Sequence, residues 1–146
     1  LKYIFWSQVM DNFKVTLENG DNPDVNALVG SDTVTITVPQ DWKDQLVVAL
    51  GLEVAATDWL TLRAGWNYGT NPVPDETSMP VAPAITEQHG SIGATAKWGS
   101  LVFDLAWQHA FENSIKVGQS LQTRDLNGST LSVEMDFVTL GISYDF

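Results

Sequence analysis

The side chains that could carry out catalysis are two histidines and one neighbouring serine. A serine nucleophile needs a histidine as its base within hydrogen-bonding reach, and His89 lies two positions before Ser91 near a predicted loop rim. His109 is in phase with Trp107, which suits an interfacial position better than that of a base. Cysteine is absent, so disulfides, zinc fingers and cysteine nucleophiles are excluded. We therefore predict no catalytic residues and no enzyme.

The acidic segment ENGDNPD, residues 18–24, is the other candidate for chemistry, as a metal-binding loop. It lacks the spaced carboxylates and the terminal Glu of an EF-hand loop. Carboxylates on solvated loops are the simpler interpretation, so we predict no metal and no cofactor. The formal net charge of -11 also argues against nucleic acid as a partner, because phosphates require a basic surface.

Other polar residues alternate with apolar ones, as in strands whose successive side chains point to opposite faces. A Lys or Arg that faces lipid at mid-depth costs about 2–4 kcal/mol, so these polar residues are expected inside a barrel, where Glu53 and Arg63 can pair. A charge network that braces the barrel is our interpretation, and the wall of a substrate path is the alternative. The predicted lumen-facing residues are Glu53, Arg63, Asn67, Thr95, Lys97, Asp104, Gln108 and Thr139.

Six predicted strands position these residues. Short connections at 57–59 and 99–100 alternate with long ones at about 18–43, 70–88 and 112–132, as in bacterial outer-membrane barrels. The segment VTITV, residues 34–38, is either an arm of a loop hairpin or an extension of the next strand. No amphipathic helix of comparable strength is present. The strands are expected at about Lys2–Leu17, Gln45–Ala56, Leu60–Gly69, His89–Trp98, Leu101–Phe111 and in the closing segment VEMDFVTLGISYDF.

Two turns of different length both place the apolar faces of neighbouring strands on the same side of the sheet, and likewise the polar faces. A two-residue turn at 99–100 places Trp98 opposite Leu101, and a three-residue turn at 57–59 places Glu53 opposite Arg63. The aromatic residues then form two bands, as expected at the two membrane interfaces. Trp59, Trp98, Tyr144 and Phe146 lie at the short-turn rim, whereas Trp66, Tyr68 and Trp107 lie toward the long loops.

The composition agrees with a membrane barrel. Hydrophobic residues make up 44% of the chain, yet the mean hydropathy is -0.04, and no apolar run reaches the roughly 18 residues of a transmembrane helix. Alternation conceals the apolar content of a barrel. The predicted fold is therefore an all-β, antiparallel transmembrane β-barrel. A soluble β-sandwich binding module would also alternate, but it would not place its aromatic residues at two heights.

Several segments resemble the FadL-type long-chain fatty acid and hydrocarbon transporters of Gram-negative outer membranes. DWKDQLVVALGLEVAATDWLTLRAGWNYGTNPVPDE (41–76) resembles a signature hairpin of that family, and SIGATAKW with SLVFDLAWQHAF fits the next hairpin. FVTLGISYDF fits the closing strand, and Trp6-Ser7 fits the strand before the hairpin. The resemblance covers nearly the whole chain, except the loops at 18–40 and 112–132.

The resemblance implies a fourteen-stranded antiparallel barrel plugged by an N-terminal hatch. Residues 1–146 would be the C-terminal part of this one barrel domain, about six strands without the hatch, and the start without Met is expected for a fragment or a processed piece. Hydrophobic compounds such as long-chain fatty acids would enter from the extracellular side by diffusion and leave laterally through a wall opening upstream. A general porin or structural barrel is the alternative.

The same resemblance implies a location in the bacterial outer membrane and a set of partners. These are a hydrophobic substrate, outer-membrane lipid and lipopolysaccharide, and the barrel-assembly machinery, which would read the terminal Tyr144 and Phe146. The apolar loop segment Met79–Ile85 would either offer a landing surface for substrate or pack on neighbouring loops. Six strands alone are expected not to insert as a stable monomer, because single-chain bacterial barrels start at eight.

Overall fold

The computed structural model describes residues 1–81 and 83–145. It contains eight strands, one short helix and three single 3-10 turns in this part of the chain. The turns are Trp6–Gln8, Asp75–Thr77 and Arg124–Leu126, and the helix α1 is Pro23–Val29. The strands are β1 (Lys2–Ile4), β2 (Asn12–Leu17), β3 (Val34–Pro39), β4 (Gln45–Ala55), β5 (Leu60–Gly69), β6 (Gln88–Trp98), β7 (Leu101–Lys116) and β8 (Thr130–Tyr144).

Six of the strands form one antiparallel sheet in the order β1-β4-β5-β6-β7-β8. Among the described residues this sheet does not close, and β1 and β8 are its two edges. The remaining strands, β2 and β3, form a separate two-stranded hairpin within the long connection between β1 and β4. The sheet therefore has the antiparallel meander of a barrel wall, of which the chain supplies one part.

The predicted first strand at Lys2–Leu17 is wrong, because the chain leaves the sheet after Ile4. The Ser7 amide and hydroxyl donate to Asp44 Oδ1 at 3.1 and 2.7 Å, and Trp6 Nε1 donates to Gln45 Oε1 at 3.1 Å. These bonds hold the chain in a turn at Trp6–Gln8 in place of a continued strand. The residues that follow, Asn12–Leu17, pair with Val34–Pro39, so VTITV is an arm of a loop hairpin.

The registers expected from the two short turns are confirmed. Glu53 pairs with Arg63, and Trp98 pairs with Leu101 across Gly99, whose φ of 61° is the left-handed conformation that favours glycine. Strands β7 and β8 are longer than predicted, since their backbones continue to pair as far as Lys116 and Thr130. A bulge lies in this extension, between Ala110 and Asn113.

One face of the sheet is apolar and exposed. Leu140 is 77% exposed and Trp98 is 79% exposed, whereas the buried hydrophobic residues lie at the long-loop end, for example Ile85 and Val117. A contiguous apolar face of this size is not stable in water and marks a surface that another apolar phase must cover. No described helix has the length and apolar character needed to cross a membrane.

Aromatic side chains border this apolar face at two heights. At the short-turn end Leu101 pairs with both Trp98 and Tyr144. At the other end Trp107 shares a row with Ile92 and Val138. The six residue-to-residue steps from Leu101 to Trp107 span about 20 Å along a strand, which is close to the apolar belt of about 25 Å in membrane barrels.

Candidate functional site

All eight polar residues predicted to face the lumen lie on the face opposite to the apolar one. The register gives rows that cross the strands, and one row contains Glu53, Arg63, Gly93, Ala106 and Thr139. Neighbouring rows hold the others: Asn67 with His89, Gln108 with Ser91 and Phe137, Thr95 with Asp104, and Lys97 with Val102. The candidate site is therefore this polar face, built from alternate residues of β4–β8.

A continuous chain of polar contacts crosses four strands on this face. Arg63 Nε donates to Glu53 Oε2 at 2.6 Å, which is the ion pair expected from the register. Arg63 Nη1 also donates to Thr95 Oγ1 at 2.6 Å, and the Thr95 hydroxyl donates to Asp104 Oδ1. Thr95 is buried and lies at the centre of this series of polar contacts. The four side chains thus brace β4–β7 and leave the Arg63 charge already neutralised by Glu53.

The histidines have structural surroundings. His89 Nδ1 lies 2.9 Å from Asn67 Oδ1, so this ring nitrogen is engaged by an amide from the neighbouring strand. His109 lies on the apolar face, as expected from its phase with Trp107. Its Nδ1 is 3.0 Å from Asp136 Oδ1, to which Trp107 Nε1 also donates at 2.9 Å. Neither arrangement is that of a base beside a nucleophile.

Between the polar contacts lies a band of small residues that the sequence prediction did not single out. Gly51 pairs with Gly65, which pairs with Ser91, and Gly93 pairs with Ala106 in the next row. The missing side chains leave an open groove of about 410 Å³ beside Glu53 and Arg63. The sequence contains a signal for this groove, because glycines occupy polar-face positions in three successive strands.

The remaining members of the predicted set lie at different places on the same face. Lys97 is exposed near the short-turn end, opposite Val102. Gln108 lies in the row of Ser91, and Thr139 lies in the row of Glu53 and Arg63, opposite Ala106. The set is thus spread along the face, and only Glu53, Arg63, Thr95 and Asp104 form one connected group.

The long loops pack on one another at the opposite end of the sheet from the short turns. Thr77 Oγ1 donates to the Gln40 carbonyl at 2.6 Å, and Gln122 Nε2 donates to the Pro39 carbonyl at 2.9 Å. Asn113 Nδ2 donates to the Ile85 carbonyl at 2.7 Å, and the Ile85 side chain is fully buried. The loops therefore form one connected cap.

The structure bears on one of the two interpretations of Met79–Ile85, and the landing surface for substrate stays a prediction. Ile85 packs within the loop cap, as expected if the segment covers neighbouring loops. Val81 is 84% exposed and remains available to an apolar ligand. Ala82, in the same segment, lies outside the described residues.

Asp44 ties the edge strand to the loops at this end. The Ser7 hydroxyl and amide both donate to its carboxylate, and Tyr3 Oη donates at 3.2 Å. The hydrogen bond from the Ser7 side chain is the main cause that holds the pKa of Asp44 below its ordinary value, and the bond from the Ser7 amide adds to it. The described residues contain no group of three or more His, Cys, Asp or Glu side chains able to hold a metal ion.

Comparison with known proteins agrees with this architecture. The family model for outer membrane protein transport proteins (OMPP1/FadL/TodX) matches residues 1–146. The toluene transporter TodX of Pseudomonas putida has a similar fold, with a TM-score of 0.64, 20% identity, and coverage of 99% of this chain and 29% of its own. A FadL homologue of Pseudomonas aeruginosa has a similar fold as well, with a TM-score of 0.63 and 22% identity. The match covers 99% of this chain and 31% of the homologue. The chain thus spans less than a third of either protein, and no functionally curated protein matches it significantly.

Proposed function

Because the chain belongs to the FadL/TodX family of outer-membrane transporters of hydrophobic compounds, we propose that it forms part of the barrel wall along which such compounds enter the cell. The proposed substrate classes are long-chain fatty acids and hydrocarbons. The observation that carries the proposal is the two-faced sheet, which has an apolar outer face between two aromatic bands and an inner face with the Glu53–Arg63 ion pair beside a groove.

The inner face suits passive movement of an apolar molecule. The Glu53–Arg63 pair and the hydrogen bonds from Arg63 to Thr95 and from Thr95 to Asp104 satisfy four of the eight polar side chains of the wall without a ligand. The small residues at Gly51, Gly65 and Gly93 remove side chains that would otherwise narrow the path. Transport would therefore proceed by diffusion without catalysis or a cofactor, and the lateral exit would lie in strands that this chain does not include.

The outer face would contact outer-membrane lipid, with lipopolysaccharide in the leaflet on the side of the long loops. The last strand would present the aromatic signal for the barrel-assembly machinery. Tyr144 lies at the end of β8, beside Leu101 at the short-turn rim. Phe146, the other residue of that signal, lies outside the described residues.

Uptake by cells that lack and then regain the gene tests this function. Cells that express the protein from its own gene are expected to take up labelled oleate or toluene faster than deletion cells, with no gain in uptake of a polar sugar. Gly65→Leu fills the groove and should slow hydrophobic uptake several-fold. Ala64→Leu, its neighbour on the apolar face, is the matched control and should leave uptake unchanged.

Equal hydrophobic uptake in the two strains would refute the proposal. Faster uptake of the sugar would support a general porin in its place. Surface levels of each variant, measured by protease accessibility of the long loops, separate a blocked groove from a failure of assembly.

A further inference from the structure

His109 of β7 lies between two carboxylates of the neighbouring strand β8. Its Nδ1 atom is 3.0 Å from Asp136 Oδ1, and its Nε2 atom is 3.5 Å from Glu134 Oε1. The side chains of Asp136 and Glu134 are more than half exposed, whereas that of His109 is 19% exposed. The imidazole is therefore largely enclosed, with each ring nitrogen close to a different acid.

Aromatic rings and a glycine enclose the rest of this imidazole. The centroid of the Trp107 ring is 5.8 Å from that of His109, and the Phe111 ring meets the imidazole edge-on at 4.7 Å. On β6 the register partner of His109 is Gly90, which has no side chain. Among the described residues, the two acids of β8 are therefore the titratable groups that face His109.

The two contacts cannot both be hydrogen bonds while the ring is neutral. A neutral imidazole has one N–H and one lone pair, and an ionised carboxylate only accepts. The shorter contact, to Asp136, therefore places the proton on Nδ1 and leaves the lone pair of Nε2 facing the Glu134 oxygen. Protonation of the ring converts this unfavourable contact into a second, charge-assisted hydrogen bond. Histidines titrate between about pH 5 and 8, above the ordinary range of carboxylates.

The three side chains lie beside the bulge of β7. His109 is two residues beyond Trp107, which places it about 7 Å past the aromatic band toward the long loops. The bulge between Ala110 and Asn113 begins at the next residue. Because a bulge interrupts the ladder of backbone hydrogen bonds, side-chain contacts beside it contribute more to the pairing of β7 with β8.

The paired strands beyond the bulge carry one segment of the loop cap. The strands run as far as Lys116 and Thr130, and residues 117–129 connect them. In this segment the Leu121 amide donates to the Glu76 carbonyl at 2.8 Å, and the Gln122 side chain also bonds the cap. A change in pairing beside the bulge is therefore transmitted to the base of a cap loop.

We propose that His109, Asp136 and Glu134 form a pH-sensitive clamp on the β7–β8 pair, closed near pH 6 and loosened near pH 8. The second hydrogen bond needs the protonated ring, so its contribution is present at the acidic end of the range in which histidine titrates and is lost as the pH rises through it. The clamp regulates how firmly residues 117–129 are held to the wall. It goes beyond the proposed transport function and does not depend on the substrate.

Hydrogen exchange at two pH values tests the clamp. The protein from its own gene is placed in nanodiscs, and amide exchange of residues 130–136 is followed by mass spectrometry at about pH 6 and about pH 8. Each rate is divided by the intrinsic exchange rate at that pH, so that only the opening of the strand pair is compared. Protection of these amides is expected to be about threefold to fivefold higher at the lower pH, the upper part of the range for an exposed ion pair. Protection of β4 and β5 should not change.

Two substitutions remove the clamp from opposite strands. His109→Gln keeps a donor for Asp136 but does not titrate, and Glu134→Gln removes the charge that the protonated ring meets. Each should abolish most of the pH difference in residues 130–136. Glu112→Gln is the matched control and should retain the whole difference, because Glu112 lies in the bulge and forms no ion pair within the described chain.

Equal protection of residues 130–136 at the two pH values would overturn the clamp. A pH difference that persists undiminished in His109→Gln, or in Glu134→Gln, would overturn it as well. If one of these variants fails to assemble, the other tests the same contact from the opposite strand. Uptake of hydrophobic compounds enters none of these comparisons, so failure of the transport proposal would leave the clamp in place.

Discussion

At the residue scale, Arg63 is the centre of the polar face. It contacts Glu53 on one neighbouring strand and Thr95 on the other, at 2.6 Å in each case. The side chains of Arg63 and Glu53 are 46% and 62% exposed, so water screens their attraction. The pair is therefore expected to contribute modestly to stability, and its larger effect is to remove free charge from the wall.

A double-mutant cycle with Glu53→Gln and Arg63→Met measures this contact. We expect a coupling of about 0.5–1 kcal/mol in chemical unfolding, the upper part of the range for exposed ion pairs. Arg63→Met alone should cost more than Glu53→Gln alone, because it also removes the bond to Thr95. A coupling within error of zero would show that the two charges do not interact in the assembled protein.

At the element scale, pairing of β5 with β6 depends on a position without a side chain. A Cβ atom at Gly65 would lie 2.7 Å from Ser91 Oγ, closer than any ordinary contact. Gly51, the register partner of Gly65 on β4, has open space in the same direction. The two glycines face each other in one row. Only position 65 requires glycine, because only there does a neighbouring side chain come too close for a Cβ atom.

Alanine substitution of these two glycines should therefore give opposite results. Gly65→Ala is expected to destabilise the sheet by about 1 kcal/mol, because Ser91 must leave its rotamer. Gly51→Ala should be neutral or slightly stabilising, since it only reduces the freedom of the unfolded chain. Adding Ser91→Ala to Gly65→Ala removes the Oγ atom from this contact and should restore stability in the same unfolding assay, and its failure to do so would exclude the Ser91 hydroxyl as the cause.

At the scale of the whole molecule, the sheet separates two environments. Its apolar face has no cover within the described chain, and its aromatic bands mark the height of the apolar phase that covers it. Its other face carries the Glu53–Arg63 ion pair beside a groove. The long loops close into one hydrogen-bonded cap at one end, whereas the short turns mark the other. A membrane-spanning wall requires this arrangement, and a soluble sandwich does not.

Adjacent residues of β7 test which face meets lipid. Leu105 lies in the middle of the apolar face, in the row of Leu62, Ala94 and Leu140. Leu105→Arg is expected to destabilise the protein in lipid by about 2–4 kcal/mol. Ala106→Arg places the same charge on the polar face and should cost clearly less. The measurement is unfolding of the two variants in liposomes, and equal losses would contradict the assignment of the faces.

Local sequence patterns are sufficient to predict the strands of the wall and their faces, from β4 to β8. Alternation is a local property with a period of two residues, and a short turn of known length transmits the phase from one strand to the next. Glu53 opposite Arg63 and Trp98 opposite Leu101 could therefore be predicted without long-range information. The glycine band had a visible signal in the same pattern, although its groove became evident only once the rows were aligned.

The arrangement of the long loops could not be predicted from local patterns, because it depends on contacts between residues far apart in sequence. The predicted strand at Lys2–Leu17 divides at Trp6–Gln8 because side chains at positions 44 and 45 bind it, and Asn12–Leu17 pairs with a segment about 20 residues later. In the loop cap, Gln122 reaches the carbonyl of Pro39, 83 residues away in sequence. Such hydrogen bonds depend on which loops the paired strands bring together, and no periodic pattern in the sequence encodes them. The exposed hairpin face and the buried Ile85 follow from that arrangement.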